Sequence, residues 1–275
     1  MRFIEGAAAF LEKPSFVMRT SNLLGKPIEM ALERLPEKAQ STIQLATRSA
    51  LEKALGIAIS SLERSAPSTF ANALVRTRLL KWGHTGATTL TGAIGGFFGL
   101  AALPVELPIT TAVILRSIAS IADEYGIDLS DPRMQMECLY IFSLGSPKSS
   151  ADDGTESAYL ASRAAFAKLI SDAAAYLATH AAAGAGGRAL EAGSSPAILR
   201  LLTRIAAQFE IVVSEKALAE ALPVVGALGG GAINALFTDY FGEAARCHFG
   251  LLALEKSHGG AAIHREYKKA KAQLA

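Results

Sequence analysis

Residues 85–105 read TGATTLTGAIGGFFGLAALPV, 21 residues without a charge. Glu106, Leu107 and Pro108 follow, and a further apolar run continues to Leu115 before Arg116. Glycines recur four apart, Gly92 with Gly96 and Gly95 with Gly99. On a helix that spacing makes a flat face that a neighbouring backbone can approach closely. Residues 221–238, ALPVVGALGGGAINALFT, are again free of charge over 18 residues, with Gly226 and Gly230 four apart and the same Leu-Pro-Val step. The two blocks read as structural counterparts, able to pack on each other in a bilayer or in a protein core. The fold expected is all-α: a helical bundle with two Gly-rich apolar helical hairpins packed together.

Composition supports helices throughout. Hydrophobic residues make up 51% of the 275, yet aromatics only 7%. The apolar material is therefore mostly Ala, Leu, Ile and Val, and Ala and Leu lose little side-chain entropy in a helix. Lys and Arg number 27 against 25 Asp and Glu, a net charge of +2, which gives no reason to expect a nucleic-acid partner. Charges at Glu5, Glu12 and Lys13 interrupt the apolar run that a signal peptide needs, so a cytoplasmic location is expected.

Outward from the Gly-rich blocks, Ile43, Ala46, Ala50, Leu51, Leu55, Ile59 and Leu62 form one face of an amphipathic helix. Pro67-Ser68 breaks the chain, and Gly83 stops a short helix. Asp131-Pro132 and Ser195-Pro196 each place a capping residue before a first-turn proline. A polar loop over 146–155 precedes a long Ala-rich helix from about Glu156 to Ala183. The domain division expected is N-terminal amphipathic helices over 1–80, a helical domain over 81–260 and a basic C-terminal tail over 261–275 carrying Lys268, Lys269 and Lys271.

Motifs for chemistry are sparse. There is no G-x-S-x-G elbow, H-E-x-x-H pair or phosphate-binding G-x-x-x-x-G-K-[ST] loop. Residues 184–189, GAGGRA, match the letters of a dinucleotide fingerprint, but they follow an Ala-rich helix where the motif requires a strand. No cofactor is expected. His84, His180, His248, His258 and His264 have no zinc-site spacing, so no metal is expected, and Cys138 and Cys247 read as buried free thiols. More informative are polar residues set in apolar sequence: Glu106, Arg116, Asn234 and Asp239. A buried carboxylate or amide is costly unless paired, so these should find one another or a backbone group.

At these positions the chain resembles the EcsC-like proteins of bacteria. The matching elements are Gly95 to Leu100 leading into Leu103 to Pro108, then Leu115-Arg116-Ser117-Ile118, Phe142 to Gly145, and Glu156 to Tyr159 with Arg163. Towards the C-terminus they are Val213 to Lys216, Pro223 to Ala227, Ala232-Ile233-Asn234, Phe237-Thr238-Asp239, and Arg246 with His248-Phe249 and Leu254-Glu255. The resemblance covers about residues 80 to 260. It implies an α-helical protein that is cytoplasmic or membrane-associated, and it supplies no catalytic set. Tyr240 stands where these proteins frequently carry a histidine, which argues against a histidine catalyst at that point.

With the resemblance, the candidate polar network comprises Glu106, Arg116, Arg163, Asn234, Asp239, Arg246 and His248, in a structural role with no catalytic residue among them. The function expected is that of a membrane-associated accessory or interaction factor, linked to transport or secretion. It would lie at the inner face of the membrane, with lipid or a membrane protein as partner. The alternative is a peptidase-like hydrolase in which Glu106, Arg116, Asp239 and His248 converge as acid, base and charge stabiliser.

Overall fold

A computed structural model describes residues 2–12, 35–62, 98–144, 157–182, 195–221 and 230–274. The described residues form eight α-helices: α1 (Arg2–Leu11), α2 (Glu37–Leu62), α3 (Phe98–Glu124), α4 (Pro132–Tyr140), α5 (Ala158–Ala182), α6 (Pro196–Ala221), α7 (Gly230–His258) and α8 (Gly260–Ala272). A single 3₁₀ turn, Ile141–Ser143, extends α4, and no strand occurs among the described residues. The all-α expectation holds. Most of the first Gly-rich block, 85–97, and part of the second, 222–229, lie outside the described residues, as do the Gly92–Gly96 and Gly226–Gly230 pairings.

Helix starts follow local chemistry. Asp131 accepts the Arg133 amide at 2.8 Å ahead of Pro132, and Ser157 accepts the Leu160 amide at 3.1 Å ahead of α5, each satisfying a donor that the first turn leaves open. α6 begins at Pro196 as the sequence implies, yet the Ser195 hydroxyl is buried with no hydrogen bond. There the proline, and not a side-chain cap, sets the start.

α3 departs from expectation. Proline in a helix interior ordinarily breaks it, but α3 runs through both Pro104 and Pro108. Each removes one backbone amide, leaving the carbonyls of Leu100 and Pro104 without their usual partners, at about 3 kcal/mol per proline. Four residues apart, the two losses fall on one side of the helix. Leu103, Leu107, Ile114, Leu115, Ile118 and Ala122 are fully or almost fully buried along the inner face, and at about 1.5 to 3 kcal/mol for each large side chain their burial outweighs the lost bonds.

α3 and α7 run side by side in the same sense. Glu106 meets Asn234 near the start of both, and Ile121 lies against Gly242 further along. α2 packs on α3, while α6 contacts α2, α3, α5 and α7. The centre is an aromatic layer in which Phe142 stands 5.0 Å from Phe209 and 5.3 Å from Phe241, ring centre to ring centre, with Phe237 5.1 Å from Phe241. Such tilted and edge-on pairs suit the ring quadrupoles.

The terminal helices belong to the same core. α1 lies along α7, Phe3 over Gly250 and Phe10 5.5 Å from Tyr240. A Cβ at position 250 would fall 2.2 Å from the Phe3 ring, so glycine is what admits that close approach. Gly259, at φ +85°, turns the chain back after α7. Most of 261–275 is therefore the amphipathic helix α8, with Ile263, Tyr267 and Ala270 buried. Replacing Tyr267 by Ala should lower stability by about 3–5 kcal/mol in a chemical melt. An unchanged melt would show that α8 is dispensable to the bundle.

Candidate functional site: two internal polar networks

The first network lies where α3 and α7 begin and α6 ends. Lys216 follows the buried pair Val212 and Val213, and its side chain is 0% exposed. Its Nζ donates to Glu106 Oε1 at 3.1 Å, and Asn234 Nδ2 donates to the same oxygen at 2.6 Å. The ammonium also stands 5.7 Å from the centre of the Phe237 ring, a favourable cation–π distance. Because the carboxylate demands a donor, the Asn234 amide can face it only through Nδ2, which leaves Oδ1 buried with no hydrogen bond. The ion pair has a dry cation and an anion 30% exposed to water.

The second network joins α1, α4, α5, α7 and α8. Glu12, just past α1, accepts from the Ser157 hydroxyl at 2.6 Å, the Tyr267 hydroxyl at 3.2 Å and the amides of Ala158 and Tyr159 at 3.2 and 3.3 Å. A carboxylate is thus placed on the positive end of α5, where both the dipole and the open amides favour it. Arg163 grips Glu255 through two guanidinium nitrogens, the longer bond 3.0 Å, and His264 reaches the same carboxylate at 3.1 Å. Tyr159 lies beneath the Arg163 guanidinium at 5.7 Å and shares a 2.9 Å hydrogen bond with His248 Nδ1. His248 Nε2 stands 3.3 Å from Glu137 Oε2, within ion-pair range but off the line of a good hydrogen bond.

Glu137, His248 and Tyr159 therefore form a buried carboxylate–imidazole–hydroxyl series. In that order the groups match a nucleophile with its base and orienting acid, but the phenol is tuned the wrong way. Burial pushes the Tyr159 pKa well above its ordinary value, whereas an activated nucleophile is held low. Glu137 is held below its usual range. Burial pushes it up, but the close contact with His248, together with Arg163 and Arg133, outweighs that effect.

The seven sequence candidates are thus divided. Glu106 and Asn234 meet in the first network, with Lys216 added. Arg163 and His248 belong to the second, with Glu12, Glu137, Tyr159 and Glu255 added. Among the described residues Arg246 makes an exposed pair with Glu243 at 3.2 Å and joins neither network. Asp239 is exposed and Arg116 is half-buried. Asn234 and His248 are 14 residues apart on one helix, or about 21 Å. The four residues of the hydrolase alternative accordingly do not converge. Among the described residues no three potential ligands gather to hold a metal, and Cys138 and Cys247 are buried and form no disulfide.

Of the residues that the sequence candidates omitted, Lys216 had a signal: on a helix it continues the stripe of Phe209, Val212 and Val213 at spacings of three and four. Glu137 gave none, because its burial with Gln135 to Tyr140 comes from packing and not from an apolar sequence pattern. Glu12 had none, since its partners lie 145 to 255 residues away in sequence.

An all-α bundle whose helices are tied internally at two polar levels is the class this architecture defines. The chain belongs to the EcsC protein family, whose model matches residues 7–251. That span takes in α1 from Ala7 and all of α2, well beyond the 80–260 over which the resemblance was first evident, and leaves α8 outside. No curated protein and no solved structure matches the chain.

Glu106→Ala takes a carboxylate away from a buried ammonium and should cost about 3 kcal/mol. Adding Lys216→Met should restore most of that loss, and strictly additive effects in the double-mutant cycle would refute the pairing. For Glu137 the sign follows from its lowered pKa: its stabilisation is present above the unfolded value near 4.5 and disappears as pH falls through the lower folded value. The gap in melting temperature between the parent and Glu137→Gln should therefore close on acidification below pH 4.5, while a gap that widened would reverse the assignment.

Proposed function

We propose that the protein acts at a membrane surface, as an accessory or interaction factor and not as an enzyme. The observation that carries this is the outward face of α3. Ala102, Val105, Ile109 and Val113 follow one another at spacings of three, four and four, the period of a single helix face. Val105 is 70% exposed and Ile109 43% exposed. The opposite face fills the core, so this half of α3 carries apolar side chains outside as well as inside, with Glu106 at the edge between them. An apolar outer stripe on such a helix suits a protein interface or lipid.

Two further features support the proposal. α3 is long and apolar enough over Ala102–Glu124 to cross a membrane by length and composition, with a mean hydropathy of 1.5, and 56% of that apolar window is buried in the bundle. In addition, the uncharged sequence of 85–97 leads directly into the exposed stripe, and Ala235 and Leu236 are exposed at the matching end of α7. Since α3 is packed on α2 and α7 along its length, the protein docks as a folded bundle, lying on the bilayer instead of threading through it.

Liposome flotation tests the proposal. The parent should float with vesicles, and a Val105→Asp/Ile109→Asp variant with an unchanged circular dichroism spectrum should stay at the bottom of the gradient. A folded parent that floats with no lipid mixture would defeat the membrane reading.

A further inference from the structure

Beyond Val113, the outward face of α3 continues through Arg116, Ser120 and Asp123, again at helical spacings. It is apolar from Ala102 to Val113 and polar after Arg116, so the guanidinium stands on the boundary. Arg116 is half-buried and has no hydrogen bond or ion pair among the described residues. The other half-buried arginine of the bundle's interior helices, Arg163, is held by a carboxylate fork and an aromatic face. An unpaired guanidinium next to an exposed apolar stripe is the arrangement in which the stem lies along lipid and the head meets an anion at the headgroup level.

On that basis we infer that Arg116 is the anionic-lipid contact of the protein, binding a phospholipid phosphate and setting how far α3 enters the leaflet. The inference rests on the membrane proposal and adds the chemistry of the ligand. The dimensions agree with it. From Ala102 to Val113 the stripe is about 16 Å long, and Arg116 lies one turn beyond it. With α3 lying on the bilayer and its start tilted slightly inward, Arg116 meets the phosphate layer while Asp123 and Glu124 remain in water. Arg suits this task better than Lys, because its planar fork engages two phosphate oxygens at once. The other basic cluster, on α8, cannot take the same role in this pose. α8 turns back along the last turns of α7, where His264 meets Glu255, about 31 Å from Asn234 and the apolar end.

The experiment compares binding to phosphatidylcholine vesicles with binding to vesicles containing about a third phosphatidylglycerol, using the parent, Arg116→Gln, Arg116→Lys and a Lys268→Gln/Lys269→Gln control, all checked for folding by circular dichroism. Arg116→Gln should lose about fivefold in partitioning to anionic vesicles, the scale expected for one basic residue at the surface. Its binding to neutral vesicles should not change, Arg116→Lys should recover part of the loss, and the α8 control should match the parent. Equal losses on both vesicle types, no loss on anionic vesicles, or a loss confined to the α8 control would each overturn the inference while leaving the membrane proposal standing. Failure of the parent to bind either vesicle would remove both. Inorganic phosphate at matched ionic strength separates the sources of the anion: if it displaces the parent from anionic vesicles more than chloride does, Arg116 binds a soluble anion and the lipid assignment fails.

Discussion

A lysine with no exposure to water organises one end of this protein. An ammonium withdrawn from solvent needs an anion at contact distance, because its desolvation costs several kcal/mol if left uncompensated. Lys216 finds Glu106, and that requirement fixes where the end of α6 meets the start of α3. Asn234 then joins the same carboxylate oxygen and fixes the start of α7. The aromatic layer of Phe209, Phe237, Phe241 and Phe142 follows from this alignment, since Phe237 lies one turn beyond Asn234 and beneath the ammonium.

A second constraint acts at the other end of α7. Ala-rich helices present small, uniform faces, and such faces can slide past one another by a turn with little change in buried area. Fixed polar contacts at two levels about 21 to 31 Å apart remove that freedom. With Glu106 and Lys216 holding the start of α7, and His248 and Glu255 holding its far half, only one register satisfies both. The best-attested role of a buried polar group is to choose among packings that hydrophobic burial alone leaves nearly equal. Glu12 extends the same control to the terminal helices by answering four donors from α5 and α8.

How much of this was legible in the sequence depends on the range of each interaction. Helix periodicity and caps are local, so the starts of α4, α5 and α6 could be placed within two residues from Asp131-Pro132, Glu156 and Ser195-Pro196, and the buried face of α2 from Ile43 onward, though not its start at Glu37. Proline was misleading in α3 because its local penalty is visible in sequence whereas the burial of Leu103, Leu107 and Ile114 that offsets it is not. Glu106 and Asn234 stood out because a polar residue in apolar sequence must be answered somewhere, and the answer proved mutual. Their third partner, Lys216, lies 110 residues from Glu106, a pairing that only the packing of α3 on α6 creates. His248 and Arg163 were noticed as individuals, yet nothing local says that Tyr159 stands between them. The hydrolase alternative failed on the same point: four polar residues carry no distances until the helices are laid side by side.

The α3 stripe also bounds how firmly the protein could hold a membrane. Fully burying one Val or Ile side chain contributes about 1.5 to 3 kcal/mol, and Val105 and Ile109 begin partly covered. Two such side chains, with Ala102 and Val113, give an attachment comparable to a single lipid chain, which on its own is marginal and reversible. The bundle needs no lipid to pair its buried charges, because Lys216 and Glu106, and Arg163 and Glu255, meet within the protein. Firm attachment would therefore require a second contact of a different kind, either charge at the edge of the stripe or a protein already in the membrane. A protein bound in this way exchanges between water and bilayer without unfolding, and its residence at the surface is set by whatever supplies that second contact.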